Sequence, residues 1–200
     1  MTRVKLCGQP ADCDVATINS LQPDYVGFIL TSRFRRYVAP ERVLEIRREL
    51  SEQIQVVGVC VDEPVEYVAE LLNSGTIDIA QLHGQEDHTY IDRLRAISHG
   101  PIIKAFKLQK PEDIALVNAS TADYVLLDSG TGTGQTFDWS LIHDISLPFF
   151  LAGGLNPENV AEAVRKINPF GVDVSSGIET DGHKDSKKMT AFVNAVRKGE

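Results

Sequence analysis

The chain has 200 residues, of which 42% are hydrophobic and 24% are charged, and its formal net charge at pH 7 is −8. This size and composition are typical of one globular domain that buries a substantial apolar core. The acidic balance argues against a nucleic-acid or anionic-membrane surface, because such partners are bound by clustered Lys and Arg side chains. A small anionic ligand therefore requires a local positive site.

Short apolar runs alternate with amphipathic segments along the whole chain, which is the pattern of alternating strands and helices. Nearly continuous apolar strands predict a parallel sheet that is covered by helices. Two helices have clear start signals: one begins with PERVLEIRRELSEQ after Ala39, and one has Asn156 as its N-cap and Pro157 in its first turn. In chain order the predicted strands are RVKLC, YVGFIL, IQVVGVCV, IDIAQLH, PIIKAF, DYVLLD, PFFLAG and GVDVSS.

Eight strands, each followed by a helix at a spacing of roughly 25 residues, predict an α/β fold with one (β/α)8 TIM barrel over residues 1–200. An open, doubly wound sheet is the alternative. In a barrel, the C-terminal ends of the strands and the loops behind them face the active-site mouth. The residues that this rule selects are Cys7, Arg36, His83, Lys104, Asp128, the loop GTGTG at 130–134, Gly153, Gly154, and Asp173 with SSG at 175–177 behind it.

Two glycine-bearing loops, Gly153-Gly154 and Ser175-Ser176-Gly177, follow the predicted seventh and eighth strands. Glycine lets backbone N–H groups approach a phosphate, and barrels frequently bind phosphate at these two loops. For either loop alone, a tight turn without a ligand is an equally good reading. Two such loops together favour phosphate binding, while the absence of the usual glycine-rich nucleotide motifs leaves nucleotide binding without support.

Two strand-end residues are candidates for proton transfer. Asp128 ends the apolar strand DYVLLD, where burial would favour the neutral acid that a proton donor needs. A carboxylate that only caps a helix or fixes a loop is the alternative. Cys7 can act as a base or nucleophile where nearby positive charge favours the thiolate, although free cysteine is often only a small core residue.

Other strand-end and polar residues have weaker signals. His83 and Lys104 lie at equivalent mouth positions, but a structural histidine and a lysine paired with a carboxylate are the favoured interpretations. The three cysteines form neither a C-x-x-C pair nor a zinc-spaced cluster, so we expect free thiols, with no chemical role for Cys13 and Cys60. Without a signal-peptide pattern or an apolar run near the ~20 residues of a membrane helix, the expected compartment is the cytoplasm.

Nearly the whole chain resembles the phosphoribosylanthranilate isomerase family of tryptophan biosynthesis. The stretches that carry the resemblance are, in order, VKLCG, DYVGFI with RRYV, VGVCVDEP, QLHGQE, IKAF, DYVLLDS with GTGQTFDW, LAGGLNPENV, and VDVSSGIE with GHKD. The resemblance implies an Amadori rearrangement of N-(5-phosphoribosyl)anthranilate to 1-(2-carboxyphenylamino)-1-deoxyribulose 5-phosphate, without a metal or an organic cofactor. It also implies one small anionic substrate, no nucleic-acid or membrane partner, and a monomer or homodimer.

The resemblance further implies a role for individual residues. Asp128 matches the acid that protonates the ring oxygen, and Cys7 matches the base that removes the C2 proton. Arg36 matches the arginine that holds the anthranilate carboxylate, and Asp173 matches an aspartate near the sugar hydroxyls. The remaining substrate-binding residues, chiefly for the phosphate, are Gly132, Gly153, Gly154, Ser175, Ser176 and Gly177.

Two departures from the family pattern affect this assignment. Phe34 stands where serine is more usual, and with arginines at 33, 35 and 36 it opens the question of which one binds the carboxylate. Thr131 replaces the first glycine of the usual GGTG loop. The rival functions are the related histidine-pathway isomerase, which has an aspartate in the place of Cys7, and a catalytically inactive barrel that only binds a sugar phosphate or a partner protein.

Overall fold

A computed structural model of the protein describes residues 1–128 and 139–199. Its eight strands follow one another in sequence order around a closed barrel, and each neighbouring pair is parallel. The predicted barrel is therefore confirmed, and the open doubly wound sheet is wrong. The strands are β1 Arg3–Leu6, β2 Tyr25–Ile29, β3 Gln55–Cys60, β4 Ile79–Leu82, β5 Ile102–Lys107, β6 Tyr124–Asp128, β7 Phe149–Leu151 and β8 Gly171–Val174.

Helices connect most of the strands and pack on the outside of the barrel. They are α1 Val15–Leu21, α2 Pro40–Glu49, α3 Val65–Asn73, α4 His88–Ile97, α5 Asp113–Asn118, α6 Val160–Ile167 and α7 Ser186–Gly199. Between β6 and β7 the described residues contain one 3₁₀ turn, Trp139–Leu141, where the alternation predicts a helix. Across residues 1–128 and 139–199, no helix has the length and apolar character that crossing a membrane requires.

The starts of the two helices with sequence signals turn out differently. Helix α2 begins at Pro40 after Ala39, as predicted, and ends at Glu49, four residues before the predicted end at Gln53. Helix α6 begins at Val160, three residues after the predicted start, and Asn159 in the N-cap position makes no side-chain capping hydrogen bond. Asn156 makes the predicted capping contacts: its side chain accepts hydrogen bonds from the backbone N–H groups of Glu158 and Asn159, in the turn that leads into the helix.

Alternate residues of each strand point into the barrel, where they form layers of different polarity. An apolar layer that includes Tyr25, Ile103 and Phe150 fills the N-terminal part. Above it lie polar groups, among them the fully buried Lys5, and the strand ends then open into a cavity. The packed lower layer supports the cavity and leaves it one mouth, at the C-terminal end of the barrel.

Three aspartates tie neighbouring strands together at the N-terminal end of the barrel. Asp24, Asp78 and Asp123 directly precede β2, β4 and β6, and each accepts a hydrogen bond from a backbone N–H near the start of the preceding strand, at 2.7–2.8 Å. Each also pairs with an arginine: Arg3, Arg47 and Arg95, respectively. The same contact thus recurs at three of the four even-numbered strands, although the chain has no obvious sequence repeat.

After β8 the chain forms a 3₁₀ turn and then a small antiparallel hairpin before α7. The turn covers Ser176–Ile178, and the hairpin strands are β9 Glu179–Thr180 and β10 His183–Lys184. Sequence analysis did not predict this hairpin. It places Glu179 and Lys184 beside the mouth of the barrel.

Candidate active site

A cavity of about 460 Å³ opens at the C-terminal ends of the barrel strands. Its volume suits a small-molecule ligand. Of the ten residues predicted to bind substrate or to catalyse, nine line the cavity: Cys7, Arg36, Asp128, Gly153, Gly154, Asp173, Ser175, Ser176 and Gly177. The tenth, Gly132, lies outside the described residues, as does Thr131.

Cys7 directly follows β1, and its backbone N–H donates to the carbonyl of Val174 at 2.8 Å. Its side chain is only 7% exposed, yet it reaches the cavity lining. Burial raises the pKa of the Cys7 thiol and the charge of Asp173 raises it further, while Lys5 and, more weakly, Lys184 lower it. The net direction is upward, so proton removal from this thiol depends on the cations around it.

Lys5 lies below the cavity, and sequence analysis assigned it no role. It is paired with Asp173 in the β1–β8 register, and its Nζ donates to Asp173 Oδ1 at 2.9 Å. Burial acts to lower the pKa of Lys5, but Asp173 and Cys7 together raise it above its usual value, so the amine is protonated. The available signal was a lysine inside an apolar strand, two residues before the thiol.

Asp128 ends β6, and its carboxylate is partly exposed to the cavity. His83 follows β4 and also lines the cavity, with its Nε2 3.7 Å from Asp128 Oδ2. The other ring nitrogen, Nδ1, lies 2.9 Å from Gln81 Nε2. The amide of Gln81 thereby orients the imidazole towards Asp128, which places His83 nearer to the site than the structural interpretation predicted.

The side chain of Lys104 is held by hydrogen bonds to a backbone carbonyl and a carboxylate. Its ammonium donates to the carbonyl of Gly84 at 2.7 Å and to Glu86 Oε2 at 2.8 Å. Glu86 in turn accepts from the backbone N–H groups of Asp62 and Gly84. Lys104 therefore links the loops after β3 and β4, in agreement with the predicted lysine–carboxylate pairing, and it is not among the residues that line the cavity.

Arg36 is held at the mouth of the cavity by the β9–β10 hairpin. Its Nη1 donates to Ser175 Oγ at 2.7 Å and to Glu179 Oε1 at 2.6 Å. Lys184 donates to the same Glu179 oxygen at 2.7 Å and to the carbonyl of Ser175 at 2.9 Å. Burial lowers the pKa of Lys184, and Glu179 opposes this effect. A carboxylate thus fixes one edge of the Arg36 guanidinium, and the cluster as a whole remains positive.

The two neighbouring arginines bind elsewhere. Arg33 donates to the carbonyl of Val61 at 3.0 Å and pairs with Asp62, and its side chain is 54% exposed. Arg35 is directed to the carbonyl of Gly182 at 3.5 Å. Phe34, in contrast, lies on the cavity lining with Arg36. The geometry thus favours Arg36 among the three as the arginine that faces a ligand.

The loops after β7 and β8 are in contact. Gly153 and Gly154 have positive φ angles of 81° and 69°, a backbone conformation that glycine adopts at little cost. A Cβ atom on Gly177 would lie 1.9 Å from the carbonyl oxygen of Leu155, so only glycine fits there. The two predicted phosphate loops therefore form one continuous surface. Asn159 stabilises the first loop by donating from Nδ2 to the carbonyl of Gly154 at 2.9 Å.

Comparison with known proteins relates this arrangement to one enzyme family. The sequence model of the family described as N-(5′-phosphoribosyl)anthranilate (PRA) isomerase matches residues 4–195. The N-(5′-phosphoribosyl)anthranilate isomerase of Endomicrobium trichonymphae is 40% identical over 202 residues, which cover 98% of this chain and 99% of the relative.

Solved structures of the same enzyme are similar over the full length. One, a phosphoribosyl anthranilate isomerase in complex with reduced 1-(o-carboxyphenylamino)-1-deoxyribulose 5-phosphate, has a TM-score of 0.86 at 32% identity and covers 99% of this chain and 100% of that one. Another contains monomers of the dimeric enzyme from Thermotoga maritima, with a TM-score of 0.84 at 33% identity and the same coverage. The similarity thus includes every strand of the barrel.

Proposed function

The chain belongs to the N-(5′-phosphoribosyl)anthranilate isomerase family, and we propose that Cys7 and Asp128 perform its reaction as base and acid. The protein is an isomerase of tryptophan biosynthesis that converts an aldose derivative into a ketose derivative. This family assignment removes the support for the histidine-pathway alternative. The observation that carries the proposed roles is the placement of the thiol and the carboxylate, from β1 and β6, on one cavity.

The proposed reaction begins with ring opening. Asp128, in its protonated form, donates a proton to the furanose ring oxygen as the bond from that oxygen to C1 breaks. The nitrogen lone pair forms the C1–N double bond, which gives an iminium ion and a C4 hydroxyl group. The positive nitrogen acidifies the C2 hydrogen, so a base of moderate strength can remove it.

The second step takes place at C2. The Cys7 thiolate removes the C2 proton, and the electron pair moves to the C1–C2 bond and on to nitrogen, which gives an enolamine. Transfer of a proton to C1 and loss of the C2 hydroxyl proton yield the aminoketose. C1 is reduced and C2 is oxidised within one molecule, so electrons balance without an external oxidant or reductant.

The ends of the substrate have separate binding regions in this proposal. The guanidinium of Arg36 provides planar, charge-assisted hydrogen bonds for the anthranilate carboxylate. The joined glycine loops after β7 and β8 provide backbone N–H groups for the phosphate, with Ser175 and Ser176 beside them. The ribose then spans the cavity between Cys7 and Asp128. A monomer and a homodimer are both compatible with this arrangement, because all the groups named here come from one chain.

The test of the proposed roles is an assay with freshly prepared phosphoribosylanthranilate, in which loss of substrate fluorescence is followed for wild-type protein, Cys7→Ala and Asp128→Asn. Proton-transfer groups contribute about 10²–10⁴-fold to rate, so kcat should fall by that order in each variant while the melting temperature changes little. Near-wild-type kcat in either variant would reject the role of that residue. An inactive wild-type protein would instead support the inactive-barrel alternative.

A further inference from the structure

Lys5 and Cys7 form a pair inside the barrel. Lys5 lies on β1 and Cys7 directly follows that strand, two positions further on, so both side chains point to the interior. Lys5 has no solvent exposure, and its ammonium forms an ion pair with Asp173. Lys5 and Cys7 are also close enough for each to shift the pKa of the other: Cys7 raises that of Lys5, and Lys5 lowers that of Cys7. One buried cation is thus shared between a carboxylate and the proposed base.

Gly27 on β2 keeps space open for this pair. A Cβ atom on Gly27 would lie 2.7 Å from Cys7 Sγ and 3.2 Å from Lys5 Nζ. The sulfur of Cys7 and the nitrogen of Lys5 therefore both lie next to Gly27. An interior side chain at this position would displace the thiol or the ammonium, so a glycine here lets both groups occupy the same part of the barrel interior.

The buried ammonium has more donors than the ion pair uses. An ammonium group carries three N–H donors, and burial of such a charge is costly unless it is paired and hydrogen-bonded. Asp173 accepts at 2.9 Å and can balance one charge. A thiolate at Cys7 adds a second negative partner for the same cation, so removal of the Cys7 proton is favoured by a group that is already in place.

The charged groups around Cys7 have opposite effects on its thiolate. Lys5 on β1 and Lys184 on β10 favour the thiolate, while Asp173 on β8 and the loss of water around the thiol disfavour it. Lys184 is already committed to Glu179 and Ser175. Lys5 exerts the larger of the two stabilising effects on the thiolate.

We propose that Lys5 is a positioning residue that stabilises the thiolate form of Cys7, and that Asp173 acts in part by holding the Lys5 ammonium next to the sulfur. The link to turnover rests on the proposed role of Cys7 as the base. The effect on the thiol itself does not depend on that role, and the two can be measured separately.

The experiment measures the pH dependence of Cys7 alkylation by iodoacetamide in the full chain, with mass spectrometry to distinguish Cys7 from Cys13 and Cys60. The variant is Lys5→Met, which keeps the length of the side chain and removes its charge. Because a nearby opposite charge shifts a pKa by about 1–3 units, the midpoint of alkylation should rise by that amount. The apparent pKa of the low-pH limb of the kcat/KM profile should rise by the same amount, since a higher thiol pKa leaves less thiolate at a given pH.

Lys104→Met is the matched control. Lys104 is also a buried lysine on a barrel strand and is also paired with a carboxylate, Glu86, at 2.8 Å, but it does not line the cavity. This variant should lose stability, as Lys5→Met does, while the midpoint of Cys7 alkylation stays at the wild-type value. An equal shift in both variants would show that loss of stability, and not loss of the Lys5 charge, moves the thiol.

A second variant controls for misfolding of Lys5→Met. Lys5→Met leaves Asp173 buried without its cation, so Lys5→Met/Asp173→Asn removes both charges together. Its alkylation midpoint should lie below that of Lys5→Met, because Asp173 itself disfavours the thiolate. Wild-type midpoints in both Lys5 variants would overturn the proposal. A raised midpoint without a matching change in the low-pH limb would retain Lys5 as a stabiliser of the thiolate and reject Cys7 as the base.

Discussion

At the scale of single residues, Arg36 shows how one side chain is selected from three similar ones. All three arginines lie in the loop after β2, but only Arg36 is turned towards the cavity. One of its terminal nitrogens is bound to Ser175 and Glu179, which sets the plane of the guanidinium. Its side chain retains 34% exposure, so donors remain available for a planar carboxylate.

We therefore expect Arg36→Ala to reduce kcat/KM much more than Arg33→Ala or Arg35→Ala. A charge-assisted contact is worth about 1.5–3 kcal/mol, which corresponds to a reduction of roughly 10–150-fold for Arg36. The other two side chains are bound to the backbone carbonyls of Val61 and Gly182 and do not themselves line the cavity. The three variants should be measured side by side at fixed ionic strength, and a larger loss at Arg33 or Arg35 would show that a different arginine binds the carboxylate.

At the scale of elements, the loops after β7 and β8 act as one unit. Gly177 lies against the carbonyl of Leu155 with no room for a side chain, and Gly154 has a left-handed backbone. Neither feature requires a ligand. Together they bring two sets of backbone N–H groups to one part of the cavity, where a phosphate can be bound by both.

A charge placed at Gly154 tests the proposed phosphate site. Asp and Asn both tolerate the left-handed conformation, so Gly154→Asn is a control for size alone. We expect Gly154→Asp to raise KM by about 10–100-fold relative to Gly154→Asn, or about 1.4–2.8 kcal/mol of lost binding, because its carboxylate repels the phosphate.

Inorganic phosphate provides an independent measurement of the same site. It should compete weakly with substrate in wild-type protein, and the competition should disappear in Gly154→Asp. Equal KM values for the Asp and Asn variants, with undiminished competition by phosphate, would place the anion elsewhere.

At the scale of the whole molecule, one end of the barrel forms the cavity and the other end joins the strands. The C-terminal end carries the cavity, whereas the aspartates before β2, β4 and β6 join the strands at the N-terminal end. Asp78 is the clearest example, because its carboxylate accepts two hydrogen bonds from Arg47 at 2.6 Å and one from the backbone of Val56 at 2.7 Å.

Asp78→Asn should therefore affect stability and not catalysis. The partly exposed contacts correspond to about 1–2 kcal/mol of unfolding free energy, or a melting temperature lower by roughly 2–8 °C in a chain of this size. The values of kcat and KM should remain near wild type, since the substitution lies at the opposite end from the cavity.

The control for this variant is Asp144→Asn, which makes the same chemical change at a carboxylate that is 92% exposed. Its melting temperature should stay within about 1 °C of wild type, because exposed substitutions usually change stability by less than about 0.5 kcal/mol. Equal melting temperatures for the two variants would show that the aspartate contacts do not stabilise the barrel.

The sequence by itself determined the eight alternating units and favoured a closed parallel barrel over an open sheet, because hydrophobic periodicity is a local property that each strand shows. It also placed Cys7 and Asp128 at strand ends, and the closed barrel then brings them to one cavity. The roles of these residues remain predictions. The predicted start of α6 was three residues too early, because Asn156 caps a turn that leads directly into the helix.

Only the tertiary structure decided which side chains meet. Lys5 and Asp173 are 168 positions apart in the chain and become partners only when β8 closes the barrel against β1. Glu179 and Lys184 approach Arg36 through a hairpin whose two-residue strands are too short for a periodic signal. Local patterns determine elements, whereas these contacts depend on barrel closure and on the path of loops, which no short stretch of sequence encodes.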